Sequence, residues 1–375
     1  MIYLDNAATT ACAEEVVESM LPFFRENFAN ASSIDHVLGL QAREAVDRAR
    51  EQIAELIGGN PEDIIFTSGA TEANNLALSI ALPVSTTRVE HPSILDTLTS
   101  RGRDTDSFID TDNEGLVHAD ALAQATKQRQ CLISVIATNN ETGVEQDLDM
   151  LSSVATNGGS LLHIDATQAI GTRAIEVRRR GIAACSISAH KIYGPKGIGA
   201  LAASTLMRRH LRPILHGGGH ERGMRSGTLN VPGIVGFGVA ARLAALHRAE
   251  RRDKLTALRQ RFLDVLGAKV GERSFATITN ATVSPHILSL HLRGTNARAL
   301  LRAVREEVAF SLGSACATNK AEPSHVLLAL GLDKRTIAET IRCSFSSEQS
   351  LHEVGEAARA ISAATTSLSE FSVPV

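Results

Sequence analysis

Lys191 and Asp165 are the residues around which a reaction centre can be built. Lys191 lies in Ser188-Ala189-His190-Lys191-Ile192-Tyr193-Gly194-Pro195-Lys196-Gly197, and Asp165 closes an apolar run ahead of Ala166-Thr167-Gln168. Ser188 and His190 flank the lysine with groups able to hold phosphate, which favours Lys191 over Lys196 in the same turn. A third piece follows residues 64–66: Thr67-Ser68-Gly69-Ala70-Thr71-Glu72-Ala73-Asn74-Asn75. Such a small-residue turn opening a helix offers free backbone N–H groups and hydroxyls to an anion, although an ordinary Ser/Thr helix start reads the same way. His91-Pro92 and Asn139-Asn140-Glu141-Thr142-Gly143 follow two further apolar runs. A lysine for covalent attachment, an acid beside a ring nitrogen and an anchor for phosphate are the three needs of pyridoxal phosphate. Lys191, Asp165 and residues 68–71 can meet them.

A nucleophile stands apart from this cluster. The five cysteines, Cys12, Cys131, Cys185, Cys316 and Cys343, are odd in number, widely spaced and free of any CxxC pair. Neither a disulfide framework nor a zinc ribbon is expected, and no metal site. Cys131, Cys185 and Cys343 sit in or beside apolar runs and read as small buried hydrophobes. Cys316 lies instead in Ser311-Leu312-Gly313-Ser314-Ala315-Cys316-Ala317-Thr318, a small, polar, loop-like stretch. A thiolate on a flexible segment can both attack and deliver. His325, a little further on, reads as a structural turn histidine.

The elements that must position these groups follow from the apolar runs at 64–66, 87–90, 132–137, 161–165, 185–188 and 198–202. Separated by helical stretches, they predict a mostly parallel sheet covered on both faces. Ligands of such sheets gather at the carboxyl ends of the strands, and five of these runs lead there into polar or ionisable groups. Ala42, Val46, Ala49, Ile53 and Leu56 fall at helical spacing before a Gly58-Gly59 stop. One long helical pattern follows Pro232 through Ala240, Leu243 and Leu246 to Leu263 and Leu266. Beyond it, 285–292, 295–304, 308–310 and 341–345 suggest a smaller α+β unit. The expected organisation is an α/β large domain over 12–250 and a small domain over 251–375, with residues 1–11 as its candidate companion.

The chain has 375 residues, a net charge of −3, no Trp and two Tyr. This balance argues against direct nucleic-acid binding and against a membrane surface. The longest apolar run, 231–241, is too short to span a bilayer. The opening MIYLDNAATT has neither the basic nor the apolar stretch of a secretory leader, so a soluble, cytoplasmic protein is expected.

The motifs resemble those of cysteine desulfurases of the NifS/IscS type, in the class V aminotransferase-like group of pyridoxal-phosphate enzymes. The matching pieces are YLDNAATT at 3–10, FTSGATEANNLAL at 66–78, EHPSIL at 90–95, NNETG at 139–143 and HIDATQAIG at 163–171. SAHKIYGPKGIGAL at 188–201, RSGTLNVPGIVGFG at 225–238 and GSACATNKAEPSHVLLALGL at 313–332 continue in family order over nearly the whole chain. The resemblance implies a type I pyridoxal-phosphate transferase fold and a reaction that takes sulfur from L-cysteine, leaving L-alanine and a Cys316 persulfide. Lys191 would then hold the cofactor, Asp165 would pair with its ring nitrogen and Gln168 would meet its ring oxygen. His91 would stack on the ring and assist proton transfer. Ala70, Thr71, Ser188 and His190 would hold the phosphate, and Thr228 would reach the phosphate of the other subunit of a homodimer. Asn140 and Arg342 would bind the substrate carboxylate. The persulfide would pass to an acceptor protein of iron–sulfur assembly, tRNA thiolation or DNA phosphorothioation.

A selenocysteine lyase or a class V aminotransferase on the same fold is the alternative, and transamination would have no use for Cys316. Two stretches depart from the family pattern. Ser344-Phe345-Ser346-Ser347 stands where Ser-Leu-Gly-Arg is usual, and 30–36 carries extra bulk.

Overall fold

The computed structural model describes residues 1–102, 107–127, 130–271, 274–312 and 322–370; Cys316 lies outside the described residues. The periodicity at 42–56 forms the helix Val37–Ile57, which His36 caps by accepting from the Gly39 N–H. It stops at Gly58, whose φ of 62° is a left-handed conformation that costs glycine little.

This helix covers a seven-stranded sheet. The strands lie side by side as Ile64–Thr67, Gly199–Ala203, Ala184–Ser188, Leu161–Asp165, Leu132–Ile136, Val84–Thr86 and Ser107–Phe108. Gly199–Ala203 is antiparallel to both neighbours, and the remaining pairings are parallel. The α/β architecture with a mostly parallel sheet is therefore as expected. One apolar cluster takes in Ile53, Ile57 and Phe237, and another takes in Leu76, Leu98 and Met207.

Two elements differ from expectation. The strand expected at 87–90 is Val84–Thr86, and the next residues form a turn into the helix Pro92–Ser100. The Thr87 hydroxyl donates to Glu90 Oε1 at 2.7 Å and accepts from the Val89 N–H. This local bonding bends the backbone where a strand was expected. The single long helix is in fact two, Val231–Leu246 and Arg248–Val270, meeting at His247 with φ −102° and ψ 13°. Hydrogen bonds continue across the break, from His247 N to Leu243 O and from Arg251 N to His247 O, so the helical spacing ran through it. The first helix buries Ile234, Phe237 and Ala240 in the large core; the second buries Leu255, Leu258 and Phe262 in a separate one.

That second core sits on an antiparallel sheet ordered Ser311–Leu312, Thr340–Ser344, Ile287–Leu292 and Ser274–Ala276. Ile2–Tyr3 pairs in parallel with Val308–Ala309, and Leu4 joins the same core. The chain start thus lies beside the later strands, where Asp5 bridges to Ser344.

Candidate active site

The carboxyl ends of Leu161–Asp165 and Ala184–Ser188, neighbours in the sheet, open into a cleft of about 630 Å³. Ala70, Thr71, His91, Asn140, Asp165, Gln168, Ser188, His190, Lys191 and Arg342 all line it. Lys196 lines it too. Thr228 is exposed and is not among the cleft residues.

Local geometry explains the convergence. Gly199 stands where a Cβ would come within 2.7 Å of both Gly69 Cα and Ile187 O. Its lack of a side chain lets the turn opening Ala70–Ala77 press against the sheet. The Ser68 N–H donates to Glu72 Oε2, and Arg225 donates to both Glu72 oxygens. Burial pushes the Glu72 carboxyl up, but these bonds outweigh it and hold it below the usual range. Glu72 thereby ties the 225–228 segment to the wall of the cleft. Gly143, at φ 82°, turns the 139–143 loop so that a Cβ there would meet Ile287 O at 3.1 Å. Asn140 is thus delivered to the boundary with the smaller sheet.

Asp165 is nearly fully buried. Its Oδ1 accepts from the Thr167 N–H at 3.0 Å and its Oδ2 from Asn74 Nδ2 at 2.8 Å. The same Asn74 nitrogen donates to Ser93 Oγ at 2.8 Å, and Ser93 Oγ lies 2.8 Å from His91 Nδ1. With the Ser93 N–H also aimed at His91 Nδ1, that nitrogen is the acceptor and Nε2 carries the proton. Burial lowers the His91 pKa, despite the nearby Asp165 charge, so the imidazole is neutral.

Lys191 follows the strand in a short 3-10 turn, and its amine donates to the carbonyls of Ala7 and Ala8. Burial, reinforced by Arg342, lowers its pKa to about 8. His190 is held at Thr9 Oγ1 and lowered to about 4 by burial and the neighbouring lysines. Gln168 Nε2 donates to Ala7 O, while its Oε1 faces His286 Nε2 at 3.2 Å. His286 is half-buried, lowered to about 3 by desolvation and neighbouring cationic side chains, and bonded through Nδ1 to Ser284 Oγ. A neutral His286 accepting from Ser284 donates to Gln168 and fixes which way its amide points.

Arg342 contacts Asn140 O through Nη1, and Asp5 Oδ1 and Ser311 Oγ through Nη2. Of the other sequence-level readings, His325 makes a structural contact, its Nε2–H donating to Glu90 O at 2.8 Å. Cys131, Cys185 and Cys343 are buried. The unusual serines of 344–347 also find partners: Ser346 and Ser347 hydroxyls lie 3.1 and 3.0 Å from Tyr193 OH.

Asp5, Asn74, Ser93 and His286 were missed by residue-level reasoning. Asn74 carried a signal, being a polar residue among the buried Ala73, Leu76 and Ala77 of one helix. Asp5 and His286 carried none, because only tertiary pairing brings Asp5 to the cleft and His286 to the Gln168 amide.

The site fits pyridoxal phosphate on its own chemistry. It combines a buried carboxylate, a lysine of lowered pKa and a helix start rich in small residues. Asn74 Oδ1, Asn140 Oδ1, Thr167 Oγ1 and Arg342 Nε are buried at this cleft without a hydrogen-bond partner among the described residues. Such orphan groups are costly unless a polar ligand satisfies them.

Fold and site together define a class-V aminotransferase: that family's profile matches residues 2–356, and the chain belongs to the family. Among its relatives, Cysteine desulfurase IscS of Anaeromyxobacter sp. (strain Fw109-5) is 37% identical, over 99% of this chain and 94% of that one. A solved NifS-like protein superposes with a TM-score of 0.89 at 30% identity, covering 98% of this chain and 100% of the other. The structure of SspA in complex with cysteine matches with a TM-score of 0.80 at 32% identity, over 92% and 99%.

Proposed function

We propose that this chain is an L-cysteine desulfurase that uses pyridoxal phosphate and collects sulfur on Cys316. The carrying observation is the pairing of Lys191 and Asp165 at adjacent strand ends of one cleft, in a chain whose relatives are cysteine desulfurases.

When bound, pyridoxal phosphate supplies an electron sink that loosens bonds around the substrate α-carbon. Lys191 would hold it, since a pKa near 8 keeps a useful fraction of its amine neutral and nucleophilic. Asp165, oriented by Asn74 and Thr167, keeps the ring nitrogen protonated. Gln168, oriented by His286, meets the ring oxygen. Ala70, Thr71, Ser188 and His190 hold the phosphate. His91, neutral with its proton on Nε2, would lie against the ring and can move protons in the cleft. Arg342 and Asn140 hold the substrate carboxylate, the guanidinium by paired hydrogen bonds. The Cys316 thiolate attacks the substrate sulfur: the new S–S bond forms as the Cβ–S bond breaks. Cβ then takes a proton, so cysteine leaves as alanine and the enzyme carries one extra sulfur.

The functional unit is a homodimer in which Thr228 reaches the partner's phosphate site. Thr228 is exposed on its own chain, and Phe24, Phe28 and Val37 are 60%, 67% and 66% exposed within a short stretch. Apolar surface of that kind marks an interface. We place the large unit at 12–250 and the small one at 251–375 with 1–11, a division supported by the break at His247. The enzyme works in the cytoplasm and passes sulfur to an acceptor protein of iron–sulfur assembly, tRNA thiolation or DNA phosphorothioation. No helix among the described residues is long and apolar enough to cross a membrane.

The test is to supply purified protein with L-cysteine and a reducing thiol and to quantify L-alanine and sulfide. Equal amounts of both are expected. Transfer of the amino group to a keto acid without sulfide would replace this reading with an aminotransferase.

A further inference from the structure

Arg342 has five N–H donors, and the way they are used is informative. One Nη1 hydrogen goes to Asn140 O at 2.9 Å. Nη2 lies 2.8 Å from Asp5 Oδ1 and 3.0 Å from Ser311 Oγ and donates to both. Nε is buried with no hydrogen-bond partner among the described residues. A guanidinium grips a carboxylate with two parallel bonds, either through Nε and Nη2 or through Nη1 and Nη2. Both grips need Nη2. A substrate carboxylate therefore competes at Nη2 with Asp5 and Ser311 in either grip.

Backbone pairing holds the three residues together. Asp5 bridges to Ser344 and Ser311 lies opposite Arg342 in the small sheet. Ser311 Oγ donates to the same Asp5 oxygen at 2.8 Å. All three line the cleft, and the arginine and aspartate side chains are only 7% and 21% exposed.

We propose that Asp5 is an internal competitor for the substrate carboxylate. It occupies Nη2, the nitrogen that both grips of Arg342 share, and yields it to a ligand whose own carboxylate replaces the lost ion pair. This rests on Arg342 being the carboxylate-binding residue. Asp5 thereby makes the arginine available while keeping it from standing as an unpaired buried charge. The cost is affinity: each carboxylate-bearing ligand binds more weakly than an undefended arginine would allow. Amines without a carboxylate are unaffected. Asp5 is thus a specificity-determining residue that acts through Arg342.

Calorimetric titration of the cofactor-loaded protein with L-alanine and with ethylamine, the same amine without its carboxylate, tests this. In Asp5→Asn, which keeps the shape and an acceptor for Ser311, the L-alanine Kd should fall about tenfold. The ethylamine Kd should stay within about twofold. Ser311→Ala, which removes the second occupant of Nη2, should shift L-alanine the same way by a smaller factor. An unchanged or higher L-alanine Kd in both variants would overturn the proposal. Arg342→Gln separates the underlying reading: if it leaves L-alanine binding unchanged, Arg342 is not the carboxylate site, whatever Asp5 does.

Discussion

Asn74 Nδ2 donates to Asp165 Oδ2 at 2.8 Å from a helix on the opposite wall of the cleft. A charge-assisted bond to a buried carboxylate is worth about 1.5–3 kcal/mol, so it fixes the rotamer of Asp165. Asn74→Ala should weaken cofactor retention by about tenfold or more on that scale. Asn74→Asp should do worse, because a second carboxylate at that distance raises the proton affinity of the first. Cofactor dissociation followed by fluorescence checks both; equal retention in wild type and Asn74→Ala would show the bond to be dispensable.

Lys191 should report its burial chemically. With a pKa near 8, roughly one amine in ten is neutral at pH 7, against far fewer for an ordinary lysine. The rate at which cofactor-free protein takes up pyridoxal phosphate should therefore rise with pH and level off just above 8. Borohydride should fix the cofactor to Lys191, and Lys191→Ala should retain no covalent label. A label on Lys196 would contradict the assignment.

Glu90 is fully buried, and burial lifts its carboxyl to about 8 with the Asp165 charge adding to the shift. An acid raised on folding stabilises the native state fully below its unfolded value near 4.5. That contribution fades as pH rises through 8. Within that window stability should fall by up to about 1.4 kcal/mol per pH unit. Glu90→Gln, which imitates the protonated acid, should flatten this slope in denaturant melts at pH 5, 7 and 9. A slope equal to that of the wild type would assign it to another group.

Much of the site was legible because strand ends are written locally. Asp165, Lys191 and the 68–71 turn each follow a short apolar run, and a parallel sheet brings such ends together. Asp5 and His286 were not legible: one arrives through pairing with Ser344, the other from the small sheet, and neither has a local signature. The break at His247 was hidden for the opposite reason, since local spacing continued where tertiary packing changed partner. At 87–90 a Thr–Glu hydrogen bond bends the backbone where a strand was expected.

The cysteines provide a further contrast. Burial pushes the Cys185 and Cys343 thiols far above the usual range and raises Cys12 as well. Cys185→Ser and Cys343→Ser should thus preserve turnover apart from packing losses, and native protein treated with iodoacetamide should leave both thiols unmodified. Rapid alkylation of either would mean that its pocket opens.

The most direct measurement is mass spectrometry of the Cys316 peptide after one turnover with L-cysteine and no reductant. The wild type should gain about 32 Da, one sulfur atom, on that peptide, with one L-alanine released per site. Cys316→Ser should stay folded and keep its cofactor, yet gain no sulfur and release almost no alanine. Normal turnover in Cys316→Ser, or sulfur found only on another cysteine, would contradict sulfur capture by Cys316.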